Sequence, residues 1–180
     1  YTGDAPQSIM DLSDAQQQAY KEINTCFKEQ DVVLLHGVTA SGKTEIYIKL
    51  IEQQLSRNKQ VLFMLPEIAL TTQLISRLQF YFGEKIGVYH SKYSVNERVE
   101  LWNNVLQNKA KAQIIIGARS SLFLPFSNLG LIIVDEAHIS IANTYKDTIT
   151  KLLNEEAKLI GLTATPGRNL GKTSNRDLDS

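Results

Sequence analysis

The chain has 180 residues, 43% of them hydrophobic, and carries 19 basic and 19 acidic side chains. This length and hydrophobic content predict one domain with one core, and the zero net charge excludes a uniformly basic nucleic-acid coat protein. One cysteine excludes an internal disulfide, three scattered histidines give no metal-ligand spacing, and no apolar run is long enough to span a bilayer. We therefore expect a monomer in the reducing environment of the cytoplasm.

Predicted helices and strands alternate along the chain. After a polar lead-in over residues 1–11, Ser13 is the predicted N-cap of a first helix, whose residues Ala19, Ile23 and Phe27 lie on one face. Six short apolar runs are predicted strands, at 31–36, 60–65, 85–90, 112–117, 129–136 and 157–162. Helical periodicity occupies the segments between them, at 43–57, 68–82, 94–108 and 143–156.

These elements predict a parallel α/β sheet. Runs that are apolar at every position suit strands covered on both faces, and strands that alternate with helices are typical of parallel sheets. We expect one α/β domain over residues 12–168, with helices on both faces of a mainly parallel sheet. Residues 169–180 are polar and are predicted to form a tail or linker. In the helix over 94–108, Trp102 is predicted to pack in the core.

The stretch from Gly37 to Thr44 fits the pattern G-x-x-x-x-G-K-[ST], between a predicted strand and a predicted helix. In such a loop, successive backbone N–H groups and the positive end of the helix bind phosphates. Lys43 is the candidate for the β and γ phosphates of ATP, and the Thr44 hydroxyl is a candidate Mg²⁺ ligand. The backbone candidates are Gly37, Thr39, Ser41 and Gly42. The alternative is a chance glycine-rich turn between a strand and a helix.

A phosphate-binding loop requires carboxylates at the end of a neighbouring strand, and "LIIVDEAH" supplies two of them. Asp135 is the candidate Mg²⁺ ligand, and Glu136 is the candidate that orients or deprotonates the attacking water. His138 lies on the loop beyond them, where it is a candidate sensor of the γ-phosphate. The alternative is that the two acids only cap a following helix.

The segments "VDEAH", "LTATP" (162–166), "LPEIALTTQ" (65–73) and "IIIGARSSLFLP" (114–125) follow the phosphate-binding loop in the order found in a known family. Together they resemble the ATP-binding motor domain of superfamily 2 DNA helicases, which implies a RecA-like fold. The resemblance implies that Thr163 and Thr165 couple the ATP site to DNA. It also implies that Gln16, with Gln17 as second candidate, reads adenine.

The same resemblance implies DNA contacts that carry no sequence information. Thr71, at the loop after the second strand, and Arg119, Ser120 and Ser121, after the fourth strand, are the candidates for the DNA backbone. The alternative for these hydroxyl residues is that they cap the segments that follow them.

Residues 12–136 are most similar to the replication-restart helicases of the primosome within superfamily 2. This resemblance implies ATP-driven 3′-to-5′ DNA unwinding at stalled forks and replication-restart proteins as partners. Residues 137–168 depart from that pattern: Ala137 stands where the family has a second Glu, and most of the family's long aromatic-rich loop is missing. The ending "TITKLLNEEAKLIGLTATPGR" instead looks like restriction-type superfamily 2 ATPases. An unusual natural relative and a chain joined from two helicase segments both fit this change.

The sequence contains no second RecA-like domain and no arginine-finger motif, and such a finger supplies several orders of magnitude in rate. We therefore expect this chain alone to bind Mg·ATP or Mg·ADP and to hydrolyse ATP slowly. Two alternatives are an inactive nucleotide-binding scaffold and the motor half of a restriction-type DNA translocase.

Overall fold

The computed structural model describes residues 11–36, 42–66, 72–90, 92–135, 143–163 and 176–177, with the backbone alone for 143–146, 154 and 176–177. The predicted order of six strands and five helices is confirmed, and the structure adds a short seventh strand, paired with the first, inside the segment 169–180, predicted to be only a tail or linker. The helices are α1 (Asp14–Glu29), α2 (Lys43–Ser56), α3 (Thr72–Phe82), α4 (Val95–Leu106) and α5 (Asn143–Asn154). The strands are β1 (Val32–His36), β2 (Gln60–Met64), β3 (Ile86–Tyr89), β4 (Ile114–Gly117), β5 (Leu129–Val134), β6 (Lys158–Thr163) and a short β7 (Arg176–Asp177).

The seven strands form one sheet in the order β3-β4-β2-β5-β6-β1-β7, and all their pairings are parallel. The first strand therefore pairs with β6 rather than with β2. Parallel strands all end at the same edge, so the carboxyl ends of β5, β6 and β1 lie side by side in the sheet.

The two faces of the sheet bury two separate clusters. Ile133 of β5 belongs to a cluster under α1, α2 and α3, whereas its neighbour Ile132 belongs to a cluster under α4 and α5. Alternate residues of a strand point to opposite faces, so fully apolar strands are what a sheet covered on both sides requires. The prediction of helices on both faces is confirmed. Among the described residues, no helix is both long and apolar enough to cross a bilayer.

Two helices begin with the capping pattern that their sequences carry. Ser13 caps α1, where its side chain accepts from the backbone N–H of Gln16 and the Gln16 side chain accepts from the Ser13 N–H. Ser94 and Glu97 form the same reciprocal pair at the start of α4. Such boxes satisfy N–H groups that the helix itself leaves without a partner. Ile23 of α1 is buried and Ala19 and Phe27 pack beside it, as predicted.

The prediction that Trp102 packs in the core is wrong. Its side chain is 46% exposed, and Val99 and Leu106 on the same side of α4 are also exposed. The helix instead buries Val105 and packs the half-buried Leu101 against the sheet. Helical period identified the helix correctly, but its largest apolar side chains lie on the outer face.

The amino-terminal end of the sheet is closed by neutral amide side chains. Gln60 is fully buried; its amide nitrogen donates to the Val105 carbonyl at 2.8 Å, and its oxygen accepts from the backbone N–H groups of Ser127 and Asn128 at 3.0 Å each. The Asn58 carbonyl accepts from the Asn128 side chain at 2.8 Å. These bonds join the ends of α4 and α2 to the start of β5.

Candidate functional site

The functional candidates begin where α2 begins. Gly42 has a φ of +75°, a left-handed conformation that side chains with a Cβ adopt only with strain. A Cβ at Gly42 would also lie 2.2 Å from the amide nitrogen of Gln16. Glycine is therefore favoured here by the backbone conformation, and a larger residue would also displace the Gln16 side chain. Lys43 is the first residue of α2, so it lies at the positive end of the helix, as the sequence predicted.

Three predicted residues converge at the carboxyl-terminal edge of the sheet. The Lys43 ammonium donates to the carbonyl oxygen of Thr163, at the end of β6, over 3.4 Å. Asp135 follows β5 directly, and its backbone N–H donates to the Met64 carbonyl at 2.9 Å. Asp135 lies 92 positions and Thr163 lies 120 positions after Lys43 in the sequence. The neighbouring strands β5 and β6 place both residues at the same edge of the sheet, near Lys43.

Burial and charge act in opposite directions on the lysine. Burial lowers the pKa of Lys43 below its ordinary value of 10.5, while the negative charge of Asp135 raises it. The net lowering means that burial outweighs the charge of Asp135 in its effect on the ammonium. A cation at the N-terminus of a helix is a place where an anion such as a phosphate group is bound favourably.

Thr44 lies in the first turn of α2, one residue beyond Lys43. Burial raises the pKa of the Tyr47 hydroxyl, and a hydrogen bond with the Thr44 side chain lowers it. Tyr47 is almost fully buried, with its ring edge-on to Phe63 at 5.1 Å between centroids. The threonine hydroxyl is thus held at the start of α2 by a side chain fixed in the core.

Gln16 reaches across from α1 to the beginning of α2. Its amide nitrogen donates to the Gly42 carbonyl at 3.1 Å and to Oε2 of Glu45 at 3.3 Å. Gln17, the second candidate, instead lines an outer cleft between α1 and α2 with Tyr20 and Lys49. The geometry therefore favours Gln16 of the two.

The candidates after β4 are placed differently from one another. Arg119 and Ser120 lie in a short 3-10 turn, Arg119–Phe123, with Ser120 exposed and Arg119 half-buried. Ser121 is fully buried and its hydroxyl donates to the Ala118 carbonyl. A buried hydroxyl that already donates to the backbone does not reach a ligand at the surface, so Ser121 serves the turn itself.

The remaining candidates lie outside the described residues. They are Gly37, Thr39, Ser41, Thr71, Glu136, His138 and Thr165.

The donor set fits a magnesium ion held jointly with a nucleotide. Within the described ranges, no three His, Cys, Asp or Glu side chains cluster to hold a metal by themselves. Mg²⁺ in nucleotide sites is typically bound by one or two protein oxygens, by phosphates and by retained waters. The Thr44 hydroxyl, next to Lys43 in sequence, and the Asp135 carboxylate, whose charge acts on Lys43, are oxygen donors of the kind such a site uses.

Sequence reasoning missed two residues beside this site. Glu45, in the first turn of α2, accepts from Gln16 and forms an ion pair with Arg77 of α3, with 3.3 Å between Oε1 and Nη2. Nothing in the local pattern distinguishes Glu45 from any acidic residue in a first turn, and Arg77 is 32 positions away.

Comparison with known proteins decides the family. The sequence matches the DEAD/DEAH box helicase family over residues 13–173. The chain belongs to that family. Its fold is that of the RecA-like motor domain.

Similar curated proteins are replication restart proteins named PriA. The protein from Rickettsia felis is 41% identical over 166 residues, which covers 88% of this chain and 25% of that protein. The protein from Bacillus subtilis is 42% identical over 131 residues, which covers 72% of this chain and 16% of that protein. The chain thus spans a quarter or less of the length of these relatives.

Among solved structures, RecG bound to a three-way DNA junction matches with a TM-score of 0.69 and 25% identity. The match covers 87% of this chain and 21% of RecG. This likeness supports the assignment of the fold to a helicase motor domain.

The length of the Rickettsia match bears on the segment after Asp135. A match over 88% of 180 residues leaves only about 22 residues outside it, so it must extend to at least about residue 158. One natural relative therefore matches both sides of the point at which the family pattern changes. This favours an unusual natural relative over a chain joined from two helicase segments.

Proposed function

We propose that this chain is the nucleotide-binding motor domain of a PriA-like replication-restart DNA helicase. The observation that carries the proposal is the placement of Lys43 at the start of α2, hydrogen-bonded to Thr163 and close to the charge of Asp135. A cation at a helix N-terminus, next to a carboxylate at a strand end, is suited to bind a nucleotide with its magnesium ion.

Each residue of the site has a distinct role in this proposal. Lys43 binds the β and γ phosphates of ATP, or the β phosphate of ADP, through its ammonium group at the start of α2. Thr44 and Asp135 hold Mg²⁺, which when bound neutralises charge on the phosphate oxygens. Gln16 contacts the adenine base, and Glu136 with His138 acts on the attacking water and the γ-phosphate. The loop over Gly37, Thr39, Ser41 and Gly42 surrounds the phosphates with backbone N–H groups.

The coupling of this site to DNA starts from Thr163. Its carbonyl accepts from Lys43, so a shift of the lysine toward a phosphate alters a bond made by the end of β6. The segment after Thr163 includes Thr165, the second coupling candidate. We assign the transmission of the nucleotide state to this strand end.

The DNA backbone is bound at the same edge of the sheet, at Thr71, Arg119 and Ser120. The exposed hydroxyl of Ser120 and the cation of Arg119 follow β4 directly, and ligands of open α/β sheets bind at the carboxyl ends of strands. Binding through phosphates carries no sequence preference and weakens as the salt concentration rises.

In the longer protein, this domain drives 3′-to-5′ unwinding in the cytoplasm, with replication-restart proteins as partners. The similarity to PriA proteins of two bacteria supports this part of the proposal. Alone, the chain acts as a monomer that binds nucleotide and hydrolyses it slowly, because a second RecA-like domain supplies the arginine finger.

Hydrolysis of Mg·ATP with and without single-stranded DNA tests the proposal. A working motor domain gives a slow rate that single-stranded DNA increases at low salt, and Arg119→Ala removes the increase. Binding of nucleotide with no hydrolysis and no response to DNA would support the inactive scaffold instead.

A further inference from the structure

The Gln16 side chain is held by three hydrogen bonds from three different parts of the chain. Its oxygen Oε1 accepts from the backbone N–H of Ser13 at 2.8 Å. Its nitrogen Nε2 donates to the Gly42 carbonyl at 3.1 Å and to Oε2 of Glu45 at 3.3 Å.

These partners allow only one orientation of the amide. A backbone carbonyl and a carboxylate only accept hydrogen bonds, so Gly42 and Glu45 require the NH₂ group, whereas the Ser13 N–H requires the oxygen. Both hydrogens of the NH₂ group are then in use. Toward the residues that the structure describes, the Gln16 oxygen accepts from the Ser13 N–H, and its second lone pair is the remaining hydrogen-bonding capacity of the side chain.

A free lone pair distinguishes the two purine bases. Adenine carries an exocyclic amine, a donor, at the position where guanine carries a carbonyl oxygen, an acceptor. An amide oxygen accepts from the amine and is repelled by the carbonyl oxygen. Rotation of the amide by half a turn would present donors and remove this preference.

We propose that Glu45, held in place by Arg77, is a specificity-determining residue that fixes the orientation of the Gln16 amide and so favours adenine over guanine nucleotides. This inference rests on the proposed nucleotide binding at the same site. Of the three partners of Gln16, Glu45 is the one that contributes a side chain and a charge. Hydrogen bonds to a carboxylate are roughly twice as strong as those between neutral groups.

Arg77 holds the carboxylate in the required position. Its guanidinium is 3.3 Å from Oε1 of Glu45, so the two carboxylate oxygens are divided between α3 and α1. The Glu45 side chain is only 20% exposed, whereas Arg77 is 49% exposed. The pair therefore spans from the surface of α3 to the edge of the site.

The test is the ratio of ATP affinity to GTP affinity, measured by calorimetry with Mg²⁺ on the parent chain and on Glu45→Gln. Glutamine at 45 offers a donor as well as an acceptor, so it no longer opposes the flipped amide, and the Gly42 carbonyl and the Ser13 N–H alone favour the original orientation. Because these two contacts remain, we expect only part of the preference for ATP to be lost, a fall of about threefold to tenfold. The removal of a negative charge near the phosphates should raise the affinity for ATP and for GTP by the same factor, so this effect cancels in the ratio of the two affinities.

Glu52→Gln is the matched control. Glu52 lies on the same helix, but it forms its ion pair with Lys49, at 3.3 Å, instead of contacting Gln16. It should leave the ratio unchanged. Arg77→Gln should lower the ratio in the same direction by about twofold, since it loosens the carboxylate without removing it. Should Glu45→Gln fail to fold, the Arg77 variant still decides the matter.

The outcomes separate this inference from the proposed function. If the folded parent chain binds neither nucleotide, the proposed function and the inference both fall. If the parent prefers ATP and the folded Glu45 and Arg77 variants keep the same ratio, the proposed function stands and the inference is overturned.

Discussion

The two ends of the sheet use polar side chains in opposite ways. At the amino-terminal end, Gln60 is neutral and fully buried, and both ends of its amide have backbone partners. At the carboxyl-terminal end, Lys43 and Asp135 are charged, and burial lowers the pKa of the lysine. The hydrogen bonds of Gln60 are all made within the protein, whereas the Lys43 ammonium is a charged group that a bound anion would stabilise further.

This difference separates residues that hold the fold from residues that bind a ligand. A buried polar group that is fully hydrogen-bonded stabilises its surroundings, and its removal leaves backbone groups without partners. A partly dehydrated charge costs stability in the absence of its ligand. Substitutions at the two ends should therefore change different measured quantities.

The largest expected effect is at the amino-terminal end. Gln60→Leu leaves the Val105 carbonyl and two backbone N–H groups without their partner, so we expect the free energy of unfolding to fall by about 3 kcal/mol. Chemical denaturation measures this change. The more exposed Gln113, which donates to Asn58 at 3.3 Å, is the control, and Gln113→Leu should cost less than about 1 kcal/mol. Equal costs for the two variants would contradict the structural role of Gln60.

At the carboxyl-terminal end, Asp135→Asn should act on magnesium rather than on stability. We expect nucleotide affinity in the presence of Mg²⁺ to fall about tenfold, or about 1.4 kcal/mol. Affinity in EDTA should not fall, because the substitution removes a negative charge beside the phosphates. Calorimetry with and without Mg²⁺ checks both statements. Equal losses under the two conditions would show that Asp135 does not act through the metal ion.

The lowered pKa of Lys43 predicts a dependence on pH. Because the folded pKa lies below the ordinary value of 10.5, the lysine loses its charge at a lower pH than other lysines do. Nucleotide affinity should therefore fall with rising pH in a window below 10.5. The stability of the empty domain should rise in the same window, since there the unfolded chain binds more protons. Lys43→Arg, which remains charged, is the control and should show no such fall; a flat profile for both proteins would contradict the shift.

The smallest expected effect is again at the amino-terminal end. Glu156, just before β6, has a φ of +74°. Its side chain is 86% exposed, and its carboxylate lies 3.9 Å from the Lys59 ammonium, a long distance for an ion pair. An exposed pair at this distance contributes little, so the relief of backbone strain in Glu156→Gly should dominate. We expect a gain of about 0.5 kcal/mol in unfolding free energy with no change in nucleotide affinity. A loss of stability would show that the ion pair outweighs the strain.

The sheet and its helices could be predicted from the sequence because each depends on local patterns. Strands covered on both faces are apolar at every position, and the phosphate-binding loop has a fixed spacing that places Lys43 at the start of a helix. The position of Asp135 followed because it comes directly after an apolar strand. These signals lie within single segments of the chain.

Contacts between distant segments could not be predicted in the same way. Gln16 and Gly42 are 26 positions apart, and Gln60 and Val105 are 45 apart, so only the packed fold brings them together. Periodicity likewise did not indicate which face of α4 packs inward, and Trp102 lies on the outer one. The pattern around Ser121 did not show that its hydroxyl turns inward to the Ala118 carbonyl.

Binding of Mg·ATP and Mg·ADP to this chain, measured by calorimetry beside Lys43→Ala, tests the central claim most directly. We predict that the parent binds both nucleotides and that the variant binds at least about tenfold more weakly, a loss of about 1.4 kcal/mol or more. The variant should unfold at the same or a higher temperature, because it removes a partly dehydrated charge. If both proteins are folded and neither binds, or both bind equally, then the site at Lys43 is not a nucleotide site.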